Sequence, residues 1–351
     1  MTGNASRNPQ MRCSIVIRAY NEEKHIGRLL AGILAQTVRE TEIILVDSGS
    51  TDATVAVASG YPVRVVSIAP EEFTFGRSLN RGCAAARDDL IVIASAHVYP
   101  VYPDWLEQLL KPFEDPSVAL TFGKQRGNAT TKFSEHQILA TWFPEKSGRL
   151  DRPFCNNANA AIRRSLWSGR PYNEEVPALE DVEWASWAMA QGHTLAYVGE
   201  AEVIHVHDED RRAVYNRYRR EAMALKQIRP QERFRLTDLA RLYASNVLMD
   251  GWHALHEGAL LRKMGEIAWF RWMQLWGTYR GFSQSGPLTS QLKEAFYYPR
   301  SLSRKRALSG RPLAPIDYHV VQGDRPGGAA SDESARAAED RWPTPEGRDG
   351  P

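Results

Sequence analysis

The chain has 351 residues, with 44 Lys+Arg against 42 Asp+Glu, a formal net charge of +2 and 43% hydrophobic residues. This near-balance of charge argues against nucleic acid as the main partner, because domains that bind it usually carry a strongly basic surface. Ordinary hydrophobic and charged fractions exclude a wholly disordered chain, and the length allows one large domain or two ordinary ones. The unusual feature of the composition is its ten tryptophans, many of them in the second half.

Three cysteines lie far apart in the sequence. Their odd number and spacing predict neither a disulfide framework nor a CxxC zinc or redox site. The first residues, MTGNASRNPQMR, lack the apolar stretch of a secretory signal, and no apolar run reaches the ~18 residues of a membrane span. We therefore expect a cytoplasmic protein, at the inner face of the membrane if it contacts one.

The first hundred residues alternate between strand-like and helix-like patterns. Asn21 is predicted to cap a helix whose apolar positions recur at helical spacing over 26–33. Strands are predicted at 13–17, 43–46, 63–67 and 90–94, with a helix over 103–113 after them. This alternation predicts an α/β fold with a parallel, doubly wound sheet, in which ligands bind beyond the carboxyl ends of the strands. Asp47 and the segment Ser95-Ala96-His97 fall at such ends.

The later segments do not continue this alternation of strands and helices. Residues 121–152 are predicted to be irregular, 179–191 to form a helix closed by Gly192, and 195–198 and 203–207 to form short extended pieces. From 211 to 281 the pattern is helical. The domain boundaries that we predict are a flexible leader (1–12), a catalytic domain (13–210, with halves 13–97 and 98–210), a helical region (211–298) and a mostly disordered tail (299–351).

The stretch SIVIRAYNEEKHIGRLLAGILAQTVRETEIILVDSGSTDAT resembles the opening of inverting family 2 glycosyltransferases, and the likeness extends over roughly 13–207. It implies a GT-A fold, in which a nucleotide-binding α/β half continues into an acceptor-binding half. The base and ribose contacts that it implies are Tyr20, Glu22, Asp47 and Ser48. Independently of the likeness, Asp47 is either a hydrogen-bond acceptor for a ligand or the start of an Asx-turn. The string FTFGRSLNRGCAAARDDLIVI resembles rhamnosyltransferase-like members and adds Arg77 and Asn80 to the nucleotide side.

The family's acidic DXD motif, which holds a divalent cation on the diphosphate, is replaced here by Ser95-Ala96-His97. A departing nucleoside diphosphate needs its charge neutralised by a metal or by fixed cations. His97 is a cation ligand, a donor to phosphate or a structural residue. In Ile204-His205-Val206-His207 both imidazoles project to one side of an extended segment, where they can bind a cation or a phosphate. A manganese or magnesium requirement stays open, although imidazole suits manganese better.

Two further segments resemble the family's acceptor side. In NNANAAIRRSLW, Asn157 and Asn159 alternate along an extended piece and either bind sugar hydroxyls or brace the backbone. PALEDVEWASWAMAQG looks like the family's ED motif, which implies Asp181 as the general base and Glu180 as its orienter or an acceptor ligand. At a helix start we expect the dipole to lower the pKa of such a carboxylate; the alternative is a helix cap. Trp184, one turn further on, is predicted to stack on a sugar.

In the C-terminal helical region Trp269, Trp272 and Trp276 recur at helical spacing, with Arg271 and Arg280 between and after them. This pattern is typical of a helix lying in a bilayer interface, or of an aromatic stripe packed against the catalytic domain. The basic residues that would add attraction to anionic lipid are Arg300, Arg304, Lys305 and Arg306.

The main functional hypothesis is an inverting glycosyltransferase that uses a nucleotide-sugar donor and a glycan or lipid-linked acceptor in surface polysaccharide or glycolipid synthesis. The rhamnosyltransferase-like strings favour a deoxysugar donor. The alternative is a non-catalytic module that binds a sugar nucleotide or glycan. The sequence does not indicate the donor, the acceptor or the oligomeric state.

Overall fold

The computed structural model describes residues 11–284, and within that range the chain forms nine strands and ten α-helices. The strands are β1 (Arg12–Ala19), β2 (Glu40–Asp47), β3 (Val63–Ser67), β4 (Leu90–Ser95), β5 (Val98–Pro100), β6 (Val118–Arg126), β7 (Gly148–Arg149), β8 (Asn159–Arg163) and β9 (Thr194–His205). The helices are α1 (Ile26–Leu34), α2 (Thr54–Ala58), α3 (Phe75–Ala85), α4 (Trp105–Leu110), α5 (Phe133–Trp142), α6 (Arg164–Gly169), α7 (Glu180–Ala190), α8 (Arg211–Ile228), α9 (Leu236–His256) and α10 (Leu260–Ser283). The leader before residue 11 and everything after 284, including the predicted tail, lie outside the described residues.

All nine strands belong to one sheet in the order β3-β2-β1-β4-β8-β6-β9-β5, with β7 paired to β9. Strands β3, β2, β1 and β4 run parallel, which confirms the α/β class and the parallel first half. Strand β8 is antiparallel to both β4 and β6. Because β2 lies on one side of β1 and β4 on the other, the strand order reverses between β1 and β4. Open parallel sheets bind ligands at the carboxyl side of such a switch point.

The sheet is covered on both faces because side chains alternate along its central strand. Ile15 and Ile17 pack into one buried cluster with α1 and α4, whereas Val16 packs into another with α3 and α7. Helix α3 approaches the sheet closely, since a Cβ on Gly82 would lie 2.3 Å from Val16 Cγ1. The three cysteines are free and buried in these clusters, as their number and spacing predict.

Two expectations from the sequence are wrong for identifiable reasons. Asn21 does not cap α1, which begins at Ile26; it adopts φ 54° and its Oδ1 accepts a hydrogen bond of 2.8 Å from Thr51 N. Residues 121–152 are not irregular but contain most of β6 and all of α5. Helix α5 buries Ser134 and Glu135 alongside apolar residues, so its sequence lacks the apolar periodicity that marks most helices.

The expected helical region is present as α8, α9 and α10, and α10 packs against both of the others. Arg271 of α10 is buried and pairs with Asp250 of α9 through two hydrogen bonds, at 2.7 and 2.9 Å. Arg271 therefore serves the packing of α10 against α9 and is not available to a bilayer interface. Trp269 is half-buried against α8, and Trp272 is the one of the three tryptophans with a largely exposed ring. No helix among residues 11–284 combines the length and hydropathy needed to cross a bilayer.

Replacing Asp250 by alanine is expected to lower the free energy of unfolding by about 3–5 kcal/mol, because Arg271 is then left buried without a counter-charge. Urea denaturation followed by circular dichroism measures this loss. The exposed Arg241→Met substitution on the same helix serves as control and should change stability by less than about 0.5 kcal/mol. Equal stability of the two variants would contradict this account of the helical region.

Candidate functional site

The loops that follow β1 and β2 form one continuous rim at the carboxyl edge of the sheet. Three backbone N–H groups of the first loop donate to side chains of the second: Asn21 N to Ser50 Oγ at 3.0 Å, Glu22 N to Thr54 Oγ1 at 2.7 Å and Glu23 N to Asp52 Oδ2 at 3.1 Å. The AYNEE and DSGSTD segments, both implicated by the sequence, are therefore held together in the fold.

Within this rim Asp47 is buried, and its carboxylate accepts hydrogen bonds from Gly49 N and Ser50 N at 3.1 and 3.2 Å. The Asx-turn alternative therefore describes its intramolecular contacts. Ser48 is buried and donates its N–H to Ala19 O at 3.0 Å, whereas Tyr20 is half-buried. A role of these residues in nucleotide binding stays a prediction.

Arg77 and Asn80, predicted on the nucleotide side, are half-buried and contact the segment before α7. Arg77 Nε donates to Glu174 at 2.7 Å, and Asn80 Nδ2 donates to Tyr172 O and to Glu174, both at 2.9 Å. Asn80 Oδ1 accepts from Trp167 Nε1 at 3.1 Å. A role of Arg77 and Asn80 in nucleotide binding stays a prediction.

The pairing of two short segments brings three histidines together. Strand β5 runs antiparallel to the end of β9, with Val98 opposite His205, and Val206 N donates to His97 O at 3.0 Å. The ring centroids of His205 and His207 are 4.0 Å apart, and that of His97 lies 5.0 and 5.9 Å from them. The structure thus brings together the three imidazoles that the sequence offers as candidate cation or phosphate ligands.

Each of these rings is oriented by an oxygen acceptor 2.7 Å from its Nδ1. The pairs are His97 with Glu22, His205 with Gln125, and His207 with Glu135. Carboxylate and amide oxygens only accept, so each Nδ1 carries the proton and donates it. The Nε2 atom of His97 lies 3.2 Å from Ser95 Oγ. The Nε2 atoms of His205 and His207 are 3.0 Å apart. Histidines that ligate a metal are typically anchored in this way.

Burial and charge shift the pKa values of two of these histidines in opposite directions. Burial alone would lower the pKa of His97, but the adjacent Glu22 carboxylate outweighs it and the net shift is upward. The pKa of His205 is well below its ordinary value because the ring is buried and faces His207 and His97. His205 is therefore neutral at pH 7 and offers its Nε2 lone pair to a cation or a donor proton.

One carboxylate behind the histidines joins the site to α8. Glu135 is buried, and Arg217 of α8 donates to it at 2.6 Å and to Glu209 at 2.8 Å. Burial by itself would raise the pKa of Glu135, yet Arg217 and His207 lower it to about 2. Sequence reasoning missed Glu135 and Arg217. Both are charged residues, but Glu135 lies in a segment predicted to be irregular and Arg217 in the C-terminal helical region, where charged residues are usually exposed.

The acid pair Glu180–Asp181 lies at the start of α7, and both side chains are buried. Asp181 accepts hydrogen bonds from Asn157 N at 2.9 Å and Val182 N at 2.8 Å. Burial and the neighbouring Glu180 charge nevertheless raise the pKa of Asp181 to about 7. The expectation that the helix dipole lowers this pKa is therefore wrong, because desolvation exceeds the dipole.

A cation from the centre of the sheet partners this acid pair. Arg18 of β1 donates from Nη1 to Glu180 Oε1 at 3.1 Å, and its guanidinium lies 4.9 Å from the centroid of the Phe75 ring. Asn157 Nδ2 also approaches Glu180 Oε1, at 3.4 Å. Sequence reasoning missed Arg18, although a charged residue inside an otherwise buried strand signals a buried partner.

Two predicted acceptor-side residues belong to the core instead. Asn159 is completely buried; its amide donates to Lys124 O and Ala201 O and accepts from Trp105 Nε1. Trp184 is also completely buried, and its Nε1 donates to Arg170 O at 2.8 Å. The bracing alternative is therefore correct for Asn159, and Trp184 has no exposed face on which a sugar can stack.

Comparisons with known proteins associate this fold with sugar transfer. Residues 14–168 match the family model described as "Glycosyl transferase family 2". Two groups of side chains among the described residues lie close enough together to hold a metal ion, with their ligand atoms within 4.8 Å of one another. They are His97, His205 and His207, and Glu135, His207 and Glu209.

Individual relatives have more specific names. The O-antigen chain rhamnosyltransferase WbaN of Salmonella anatum is 28% identical over 52% of this chain and 62% of its own length. The O-antigen chain rhamnosyltransferase RfbN of Salmonella typhimurium is 27% identical over 59% of this chain and 70% of its own. The chain thus spans less than two thirds of the first of these relatives.

The fold is also found in a solved structure, the mannosyltransferase PcManGT from Pyrobaculum calidifontis in complex with GDP-Man and Mn²⁺. The two share 19% identity and a TM-score of 0.52, with coverage of 77% of this chain and 84% of that one. This likeness concerns the fold alone, which is of the GT-A type, as the sequence predicts.

Replacing Glu135 by glutamine is expected to lower the free energy of unfolding at pH 7 by about 3 kcal/mol, since its pKa falls from 4.5 to about 2 on folding. This contribution is fully present above pH 4.5 and is lost as the pH falls toward 2. Urea titrations at pH 7 and below pH 4 should therefore show a difference between wild type and variant that shrinks with acid. The exposed Glu257→Gln serves as control, and a difference independent of pH would contradict the assignment.

Proposed function

We propose that the protein is an inverting glycosyltransferase that transfers a sugar from a nucleotide-sugar donor to an acceptor hydroxyl. The observation that carries this proposal is Asp181, a carboxylate whose pKa lies near 7 and which is held in place by Asn157 N and Val182 N. A general base works best when its pKa lies near the working pH. A module that only binds glycans has no use for such a group, which disfavours the non-catalytic alternative.

The donor site that we propose lies at the carboxyl edge between β1 and β4, where the strand order reverses. Tyr20 and Glu22 contribute from the first loop, and Asp47 and Ser48 from the second. Asp47 already holds its loop through backbone N–H groups, so it contributes the shape of the base and ribose pocket as well as acceptor oxygens. The hydrogen bonds between the two loops support a preformed site.

In the reaction, Asp181 takes the proton of an acceptor hydroxyl as its oxygen attacks the anomeric carbon from the face opposite the departing nucleoside diphosphate. Inversion follows from this single displacement. Glu180 orients the acceptor. Arg18 pairs with Glu180 and thereby reduces the repulsion between the two neighbouring carboxylates. Asn157 places its N–H on Asp181 and its amide on Glu180, so it positions both acids.

The three histidines suit a divalent cation, because their Nδ1 atoms are bonded to oxygens and their potential ligand atoms lie within 4.8 Å of one another. A bound cation would replace the contact between the Nε2 atoms of His205 and His207. Imidazole nitrogens favour manganese, cobalt or zinc over magnesium, which prefers oxygen ligands. When bound, the cation neutralises charge on the departing diphosphate. His97, His205 and His207 would hold it, while Glu22, Gln125 and Glu135 fix the orientation of the rings.

The relatives named O-antigen chain rhamnosyltransferases support a proposal for the substrate class. We propose a nucleotide-activated deoxyhexose, or a related hexose, as donor. A glycan or a lipid-linked glycan that is being assembled into surface polysaccharide is the proposed acceptor. Several cheap nucleotide sugars can be compared by thermal shift, and a donor that stabilises the protein identifies the class.

Asp181→Asn is expected to lower the rate of transfer by about 10²–10⁴-fold while leaving donor affinity unchanged, because only proton removal is lost. Wild-type transfer should rise with pH and level off above about 7, since Asp181 must be ionised to accept a proton. Transfer is measured by released nucleoside diphosphate, and donor affinity by calorimetry. Glu183→Gln, in the same helix, is the control. Near-wild-type transfer by Asp181→Asn would remove Asp181 from the mechanism.

A second prediction concerns the cation. Calorimetry with Mn²⁺ alone should detect binding that His205→Ala or His207→Ala weakens by at least about tenfold, since outer partners alone alter affinity by 10–100-fold. Mg²⁺ should bind more weakly than Mn²⁺. His193→Ala, after α7, tests for nonspecific loss. Unchanged Mn²⁺ affinity in both site variants would overturn the cation site but not the role of Asp181.

A further inference from the structure

The outer face of α9 is apolar and has no partner within the described residues. Leu248, Met249, Trp252 and Leu255 are all exposed, with Leu248 at 73% and Trp252 at 59%. The opposite face of the helix supplies the buried contacts with the rest of the protein. Leu261, just past the turn into α10, is 97% exposed.

These side chains form one continuous stripe. Positions 248, 249, 252 and 255 follow the i, i+1, i+4, i+7 spacing of a single helical face, and Leu261 extends that apolar surface to the α9–α10 turn. Scattered exposed apolar residues are ordinary, but a contiguous stripe that includes a tryptophan marks an interaction surface.

Basic residues flank the apolar stripe. Arg233 and Arg235 precede α9, Arg241 lies in its first half and Arg262 follows Leu261, and all four are exposed. Acidic side chains are fewer along the same stretch, with Glu257 the exposed one at the end of α9. This surface matches an anionic lipid bilayer, because the bilayer can bury leucine and tryptophan while its headgroups attract the arginines.

We propose that the outer face of α9, together with Leu261, docks the protein onto an anionic membrane surface. A second copy of the chain fits less well, because a two-fold contact through this face would bring the arginines of both copies together. The proposal moves the expected membrane contact from the tryptophans of α10 to α9, and it goes beyond the proposed function without depending on it.

Docking through this face would place the site close to the lipid. The inner side of α9 packs through Val247 and Ala254 against Phe133 of α5. Glu135, two residues further along α5, holds His207. The membrane-facing helix is thus separated from the histidine cluster by a single helix, a short path for an acceptor anchored in the bilayer.

Co-sedimentation of the full 351-residue chain with sucrose-loaded vesicles tests the proposal in the absence of any substrate. Vesicles of phosphatidylcholine with phosphatidylglycerol should bind the protein, and phosphatidylcholine alone should bind it more weakly. The double variant Leu248→Gln/Trp252→Gln should lower binding by at least about tenfold. Trp142→Gln, which replaces an exposed tryptophan of α5, should bind as the wild type does.

A second pair of variants separates charge from apolar contact. Arg241→Gln/Arg262→Gln should reduce binding to the anionic vesicles, and added salt should reduce wild-type binding in the same way. Circular dichroism verifies that each variant is folded. Binding by the leucine–tryptophan double variant equal to that of wild type overturns the proposal. A folded wild-type protein that does not bind anionic vesicles also overturns it. If light scattering then shows a wild-type dimer that the leucine–tryptophan double variant does not form, the face is a dimer interface instead.

Discussion

The ion pair between Arg18 and Glu180 is the contact that allows two buried acids to lie side by side at the start of α7. Glu180 and Asp181 are adjacent buried acids, and each makes ionisation of the other more costly. Arg18 reaches Glu180 from the central strand, so the parallel half of the sheet supplies positive charge to the acids at the start of α7. Removing one partner of such a pair leaves an uncompensated buried charge, which costs far more than the intact pair contributes.

A similar dependence ties the C-terminal helices to the site, which makes them more than an appendage. Arg217 of α8 holds Glu135, and Glu135 in turn orients His207. Glu266 of α10 accepts a hydrogen bond of 2.7 Å from Phe133 N and thereby caps the start of α5. The helix that carries Glu135 is therefore fixed from two sides by segments more than 80 residues later in the chain, as the separations of 82 and 133 residues indicate.

The sequence is sufficient for the parallel half of the sheet and for the helix at Glu180, because each depends on local periodicity or on strand ends. It was insufficient where long-range contacts decide. Asn21 adopts an unusual backbone conformation to bond a later loop, and the same chemistry that suggested sugar contacts for Asn159 serves buried backbone instead. The raised pKa of Asp181 is not predictable from the sequence, because the sequence indicates the start of a helix and hence its dipole, whereas burial depends on the fold.

Strand β9 contains an irregularity that separates its two ends. Its pairing with β6 shifts register between Gly123 and Gln125, so that residues 199–202 of β9 are spanned by a single residue of β6. The sequence pattern breaks at the same place, into the pieces 195–198 and 203–207. Before the break, β9 pairs with β7; after it, the strand leads into the histidines. We expect insertions or deletions on the β7 side to be absorbed at this break, so that this side of the fold can vary while the spacing of the imidazoles is preserved.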